Sequence, residues 1–144
     1  MRIRGGVDAP SRARRLVLSR LDGQIGPTAA ADVELVVSEL VTNSVVHADV
    51  GPRKTLTVEL VRLDDRVRIS VIDPGSRVEP HVLPPDDERL GGLGLFLVRK
   101  LCDGWGVGRD RIGRSRVWCD ILLDQSRSSV VPAAAGEPPS GSPG

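Results

Sequence analysis

Apolar positions change their period along the chain, and each change marks an element. Between Ala9 and Leu21, Ala13, Leu16, Val17 and Leu21 recur at helical spacing among arginines. This predicts an amphipathic helix starting near Asp8 or Ser11 and ending at Asp22-Gly23. After Gly26-Pro27 a second helix is predicted, capped by Thr28 and running to about His47. Its stripe is Val33, Val36, Val37, Leu40, Val41 and Ser44. The β-branched content would also suit a strand, but length and period favour a helix.

Val50-Gly51-Pro52 stops that helix, and the period drops to two. Leu56, Val58 and Leu60 alternate with polar residues over Thr55 to Leu63; Val67, Ile69 and Val71 do so over Arg66 to Ile72. With Asp64-Asp65 between them, these segments read as a hairpin. Ser76 to Leu90, rich in proline and acidic residues, reads as a long loop. A short helix is predicted from Gly91 to Cys102, and two strands over Gly104 to Val107 and Arg116 to Leu123, with Trp105 and Trp118 assigned to the sheet core. From Gln125 the chain is Ser, Pro, Ala and Gly, the composition of a disordered tail. The order of elements predicts an α+β, two-layer sandwich. About three helices lie on one face of a mixed, mostly antiparallel sheet of four to five strands. The domain spans 1–124 and the tail 125–144.

Composition narrows the function classes. A chain of 144 residues with net charge +1 suits one domain and carries no nucleic-acid footprint or basic membrane patch. With no tyrosine, one phenylalanine and two tryptophans, it is poorly equipped to stack single-stranded bases. No apolar run is long enough to span a bilayer and the first residues do not form a signal peptide, so a cytoplasmic location is expected. Cys102 and Cys119 lack metal-type spacing and read as buried, reduced thiols.

Three patches carry candidate chemistry. In Glu39-Leu-Val-Thr-Asn43, Glu39 and Asn43 stand four residues apart, on consecutive turns at the border of the apolar stripe. A carboxylate there can deprotonate a hydroxyl or water, and a carboxamide oxygen suits Mg²⁺. Asn43 is the chain's one asparagine. Asp73-Pro-Gly75 ends a strand, where a carboxylate can accept a hydrogen bond from the amino group of adenine and Gly75 admits a flat base. Gly91-Gly92-Leu93-Gly94 opens a helix, whose free amides and dipole attract phosphate. This turn fits neither the Rossmann fingerprint nor a Walker A loop. Singly, each patch is an ordinary turn or helix edge; their order and context together describe a site for ATP and Mg²⁺. His47 reads as a helix-end residue and His81 as a loop residue.

At these residues the chain resembles the GHKL ATPase superfamily, the Bergerat fold, and within it the small bacterial anti-sigma-factor serine kinases. The resemblance covers roughly Ala9 to Leu123. Ser38 to Asn43 with His47 is similar to the family's N-box, Asp73-Pro-Gly75 to its adenine-binding Asp-x-Gly, and Gly92-Leu93-Gly94 to its phosphate-binding Gly-x-Gly. Ser76 to Leu90 would be the ATP lid. The resemblance implies Glu39 as general base, Asn43 as Mg²⁺ ligand, Asp73 and Gly75 at adenine, and Gly92, Leu93 and Gly94 at the phosphates. It also implies phosphorylation of a serine on a STAS-type anti-anti-sigma partner, binding of a sigma factor, and the homodimers that relatives often form.

One departure bears on activity. Many relatives carry Gly-Lys-Thr before the aromatic of the last strand, where this chain has Gly113-Arg-Ser-Arg-Val-Trp118. Arg116 then takes the place of the Thr, and alternation turns Ser115 to the opposite face. That would remove a hydroxyl from the adenine side, and its functional alternative is a catalytically weak or inactive nucleotide-binding switch module. A histidine kinase is disfavoured because no helix pair with a phosphoacceptor histidine precedes the domain.

Overall fold

The computed structural model describes residues 1–75 and 92–123, with the backbone alone for 92–96. The elements run β1 (Arg2–Arg4), α1 (Ala9–Leu21), α2 (Pro27–His47), β2 (Thr55–Arg62), β3 (Arg66–Asp73), α3 (Gly92–Leu101), β4 (Gly104–Arg109) and β5 (Ser115–Leu122). The five strands form one sheet in the order β1-β2-β3-β5-β4. All four pairings are antiparallel, so the sheet is not mixed. The expected loop over 76–90, Gly91, His81 and the tail lie outside the described residues.

Helix α1 has the predicted bounds, with Asp8 at its N-cap position and Asp22 closing it. The Asp8 side chain makes no capping hydrogen bond. Helix α2 starts one residue earlier than expected: Gly26 is the N-cap and Pro27 the first helical residue. Thr28 is therefore inside the helix and not its cap. Proline suits that first position because its missing N–H would have no intrahelical acceptor. Strand β1 adds an edge that the pattern did not predict, with Ile3 opposite Leu56.

One layer of buried aliphatic side chains joins helices to sheet. Ala13, Val17 and Leu21 of α1, and Val33, Val36, Val37, Leu40 and Val41 of α2, meet Leu56, Val58, Val67, Ile69, Val71, Cys119 and Ile121. On the strands the members recur every second residue, so the helix-facing side of β3 is 67, 69, 71, 73 and that of β5 is 115, 117, 119, 121. Trp105 packs on this core from β4. Trp118 does not. It belongs to the opposite side of β5, where the Arg68 guanidinium lies 4.4 Å from its ring centre. A Cβ placed on Gly106 would come within 2.6 Å of Trp118 Nε1, so the indole rests directly on the β4 backbone. The assignment of Trp118 to the core is thus corrected.

The two cysteines also depart from expectation. Cys102, just after α3, and Cys119, in β5, are joined as a disulfide with their Cα atoms 5.9 Å apart. That separation is ordinary for a bridge. It arises because α3 ends over β5, a tertiary placement that spacing cannot reveal.

The outer side of the sheet is polar. Asp120 is 3% exposed and accepts two hydrogen bonds from Arg68, both 2.7 Å. These bonds hold its carboxyl below the usual carboxylate range, against the opposing effect of burial. Arg116 donates to Glu59 Oε2 at 2.7 Å and to the Ser70 hydroxyl at 3.1 Å, crossing three strands.

Candidate functional site

Helix α2 supplies Glu39 and Asn43. Its roll is fixed by the aliphatic stripe and by Ser38, whose hydroxyl accepts from Arg14 at 3.1 Å and donates to the Glu34 carbonyl at 2.7 Å. With Leu40, Val41 and Ser44 turned fully inward, Glu39 and Asn43 fall at the half-buried border. Glu39 enters no ion pair among the described residues. The Asn43 Nδ2 is sealed from solvent and donates to no hydrogen-bond partner among the described residues. A buried amide left without a partner costs roughly 1–3 kcal/mol unless a ligand satisfies it. His47 is the last residue of α2, exposed, where a partial positive charge suits the helix dipole.

Strand β3 supplies Asp73, 4% exposed and on the helix-facing side. Its Oδ1 accepts the Gly75 N–H at 2.8 Å. One such bond leaves most of the acceptor capacity of a carboxylate unused. Gly75 has φ +84°, and a Cβ there would lie 2.5 Å from the Gly113 carbonyl oxygen. Both features require glycine. They press the corner after β3 against the segment that leads into β5.

Ser115 is opposite Asp73 in the β3–β5 register and 6% exposed. It shares the helix-facing side with Asp73, and Arg116 faces outward to Glu59 and Ser70. The expected exchange of these two positions is reversed: a hydroxyl stands beside Asp73, and arginine does not replace it. The signal that could have found Ser115 is the alternation of Val117, Cys119 and Ile121, which fixes odd-numbered residues of β5 as inward.

Helix α3 begins at Gly92, so Gly92, Leu93 and Gly94 form its first turn. It packs against α2, which also touches β3 and β5. The elements that carry Glu39, Asn43, Asp73 and the 92–94 turn are therefore neighbours around α2.

As a metal centre the site is sparse. Among the described residues no group of three His, Cys, Asp or Glu side chains could cage an ion. That fits Mg²⁺, which keeps waters and phosphate oxygens and takes one or two protein ligands. The Asn43 Oδ1 is an oxygen of the type such an ion takes, and the orphaned Nδ2 beside it calls for an acceptor such as a phosphate or water oxygen.

Comparison with known proteins agrees with this geometry. The profile of the family described as histidine kinase-like ATPase domain matches residues 9–115. The serine-protein kinase RsbW of Listeria monocytogenes is 36% identical over 103 residues, covering 62% of this chain and 66% of its own. The anti-sigma F factor of Caldanaerobacter subterraneus is 30% identical over 98 residues, covering 62% and 68%. RsbW of Staphylococcus epidermidis is 34% identical over 107 residues, covering 62% and 65%. The chain thus spans about two thirds of the length of the curated relatives it matches. With the match running from the start of α1 to the start of β5 and taking in every candidate side chain, the chain belongs to the histidine kinase-like ATPase domain family.

Proposed function

We propose that this chain is an ATP-dependent serine/threonine protein kinase acting as an anti-sigma regulator in the cytoplasm. The observation that carries the reading is the placement of Glu39 and Asn43 at the half-buried border of α2, the helix that adjoins β3 with its buried Asp73, β5 and α3. The relatives named as serine-protein kinase and anti-sigma factor support the same activity class and partners.

Each residue has a role in this reading. The spare acceptor positions of Asp73 take the adenine amino group, and the Ser115 hydroxyl beside it offers a second polar contact. Gly75 keeps the wall flat where the base lies. The amides of Gly92, Leu93 and Gly94 face the phosphates at the helix start. Asn43 Oδ1 holds Mg²⁺, which when bound neutralises charge on the phosphates. Glu39 accepts the proton of the serine hydroxyl as that oxygen attacks the γ-phosphorus and ADP leaves. Positioning and charge neutralisation supply most of the acceleration. The acceptor is a serine of a STAS-type anti-anti-sigma protein, a sigma factor is the second partner, and the working unit is a homodimer.

The test is transfer of labelled phosphate from Mg·ATP to STAS-domain proteins. Asn43→Ala should abolish transfer while the fold survives a thermal melt, because the buried Nδ2 bonds to nothing among the described residues. Full activity in that variant would reject the metal role. Nucleotide binding without transfer to any partner would leave a non-catalytic switch module.

A further inference from the structure

The Cys102–Cys119 bridge sits where it can govern the phosphate end of the site. Cys102 completes the last turn of α3, its N–H donating to the Val98 carbonyl at 2.9 Å. Cys119 is fully buried on the helix-facing side of β5, opposite Ile69 on one neighbour and Trp105 on the other. The bridge spans 17 residues of chain, a loop that contains all of β4.

The C-terminal half of α3 is also held without covalent bonds, by packing on α2 and by Arg99, 5.3 Å from the Trp105 ring centre. Val98 is buried and Leu101 half-buried, whereas Leu97, Arg99 and Lys100 are exposed. The disulfide adds to these the one covalent link between the end of this helix and β5 among the described residues. The same helix opens, three turns away, with the Gly92-Leu93-Gly94 turn. A rigid helix transmits a loosened end to the other end.

The geometry points to a redox switch: the oxidised Cys102–Cys119 pair holds α3 in the position that binds ATP, and its reduction weakens nucleotide binding. This rests on the ATP-binding reading above. In a compartment kept reduced, disulfides are rarely static, and those that form there are usually catalytic or redox-sensing. The reductant is a protein or small-molecule dithiol. Its thiolate attacks Cys102 Sγ, which is 8% exposed, because Cys119 is sealed. The S–S bond breaks and the Cys119 thiolate takes up a proton. The second thiol of the reductant then displaces Cys102 from the mixed disulfide. Two protein thiols result, and the dithiol leaves as its own disulfide.

The experiment compares the full chain before and after treatment with dithiothreitol, by calorimetric titration with Mg·ATP and by amide exchange over residues 97–102 without nucleotide. Reduction should weaken binding about fivefold or more and speed exchange in α3, with both effects reversed on reoxidation. Cys102→Ala should behave as the reduced protein and ignore dithiothreitol. Binding of equal strength in both states, or unchanged exchange, overturns the switch, as does an untreated protein that titrates two free thiols. Failure to bind nucleotide in either state, with exchange still responding to reduction, defeats the ATP reading and leaves α3 latched by the bridge.

Discussion

The two sides of strand β3 are built on opposite principles. The helix-facing side, Val67, Ile69 and Val71, is sealed aliphatic packing that ends in the buried carboxylate of Asp73. The outer side, Arg68, Ser70 and Ile72, rests on cross-strand hydrogen bonds, with Arg68 reaching Asp120 and Ser70 receiving Arg116. On the inner side the energy is in burial, and the one polar residue at its end accepts a hydrogen bond from the Gly75 N–H. On the outer side charge satisfies charge, and ligand chemistry is spent on holding strands in register. A single-residue shift along a strand therefore moves a residue from the apolar, helix-facing layer to the hydrogen-bonded outer one.

The comparison is broken most severely at its centre. Ile69→Ala should cost about 3 kcal/mol in denaturant unfolding, since Ile69 is fully buried in the shared core. The control on the outer side, Val61→Ala, should stay within about 0.5 kcal/mol, because Val61 is 47% exposed.

Arg68→Ala tests the outer side. It removes both short hydrogen bonds to the buried Asp120 carboxylate, leaving Arg66 at 3.7 Å, and should cost about 2 kcal/mol at neutral pH. The Arg68 hydrogen bonds depress the folded-state pKa of Asp120. The stability they contribute is thus fully present above the unfolded carboxylate pKa of about 4 and is lost as pH falls through the lower folded value. The gap between wild type and Arg68→Ala should narrow in melts below about pH 4, and a constant gap would mean that Asp120 is not the linked group.

Gly106→Ala places a methyl group against the Trp118 indole and should cost about 1.5 kcal/mol by the same melts. The smallest effect sharpens the contrast within β5. Ser115→Ala should weaken Mg·ATP binding about fivefold, near 1 kcal/mol, with little change in stability. Arg116→Ala should leave that affinity within about twofold and cost less than about 1 kcal/mol of stability, as its ion pair with Glu59 is solvent-exposed. A reversal of these two phenotypes would place Arg116, not Ser115, at the nucleotide.

Periodicity alone revealed the helices and the central hairpin. The bounds of α1 follow from its arginine-separated stripe, and the start of α2 differs by one residue because proline at the first position was read as a separator. Strand β1 escaped notice because Arg2-Ile3-Arg4 is too short to show a period and exists through its pairing with β2. The disulfide depends on where α3 lands over β5, which is tertiary information. The difference at 115 and 116 has one cause. Matching Arg116 to the Thr that relatives carry before the last-strand aromatic assigns the even-numbered residues of β5 to the adenine side, one residue out of phase with the strand's own alternation. The aliphatic neighbours of Trp118 carried the correct phase, because Val117, Cys119 and Ile121 outweigh one amphipathic ring that can lie flat on glycines. The candidate residues on α2 and β3 were legible because their motifs are contiguous; Ser115 was not, because its relation to Asp73 is one of register.

The placement of the indoles has a practical consequence. With two tryptophans and no tyrosine, near-ultraviolet emission from this chain arises from one fluorophore on each side of the sheet. Trp118 emits from beneath Arg68, and Trp105 from beside Arg99 of α3, 5.3 Å from its ring centre. A Trp118→Phe protein would carry a single optical probe, at the helix that the disulfide fastens, and a Trp105→Phe protein would carry one that sees the charged layer alone.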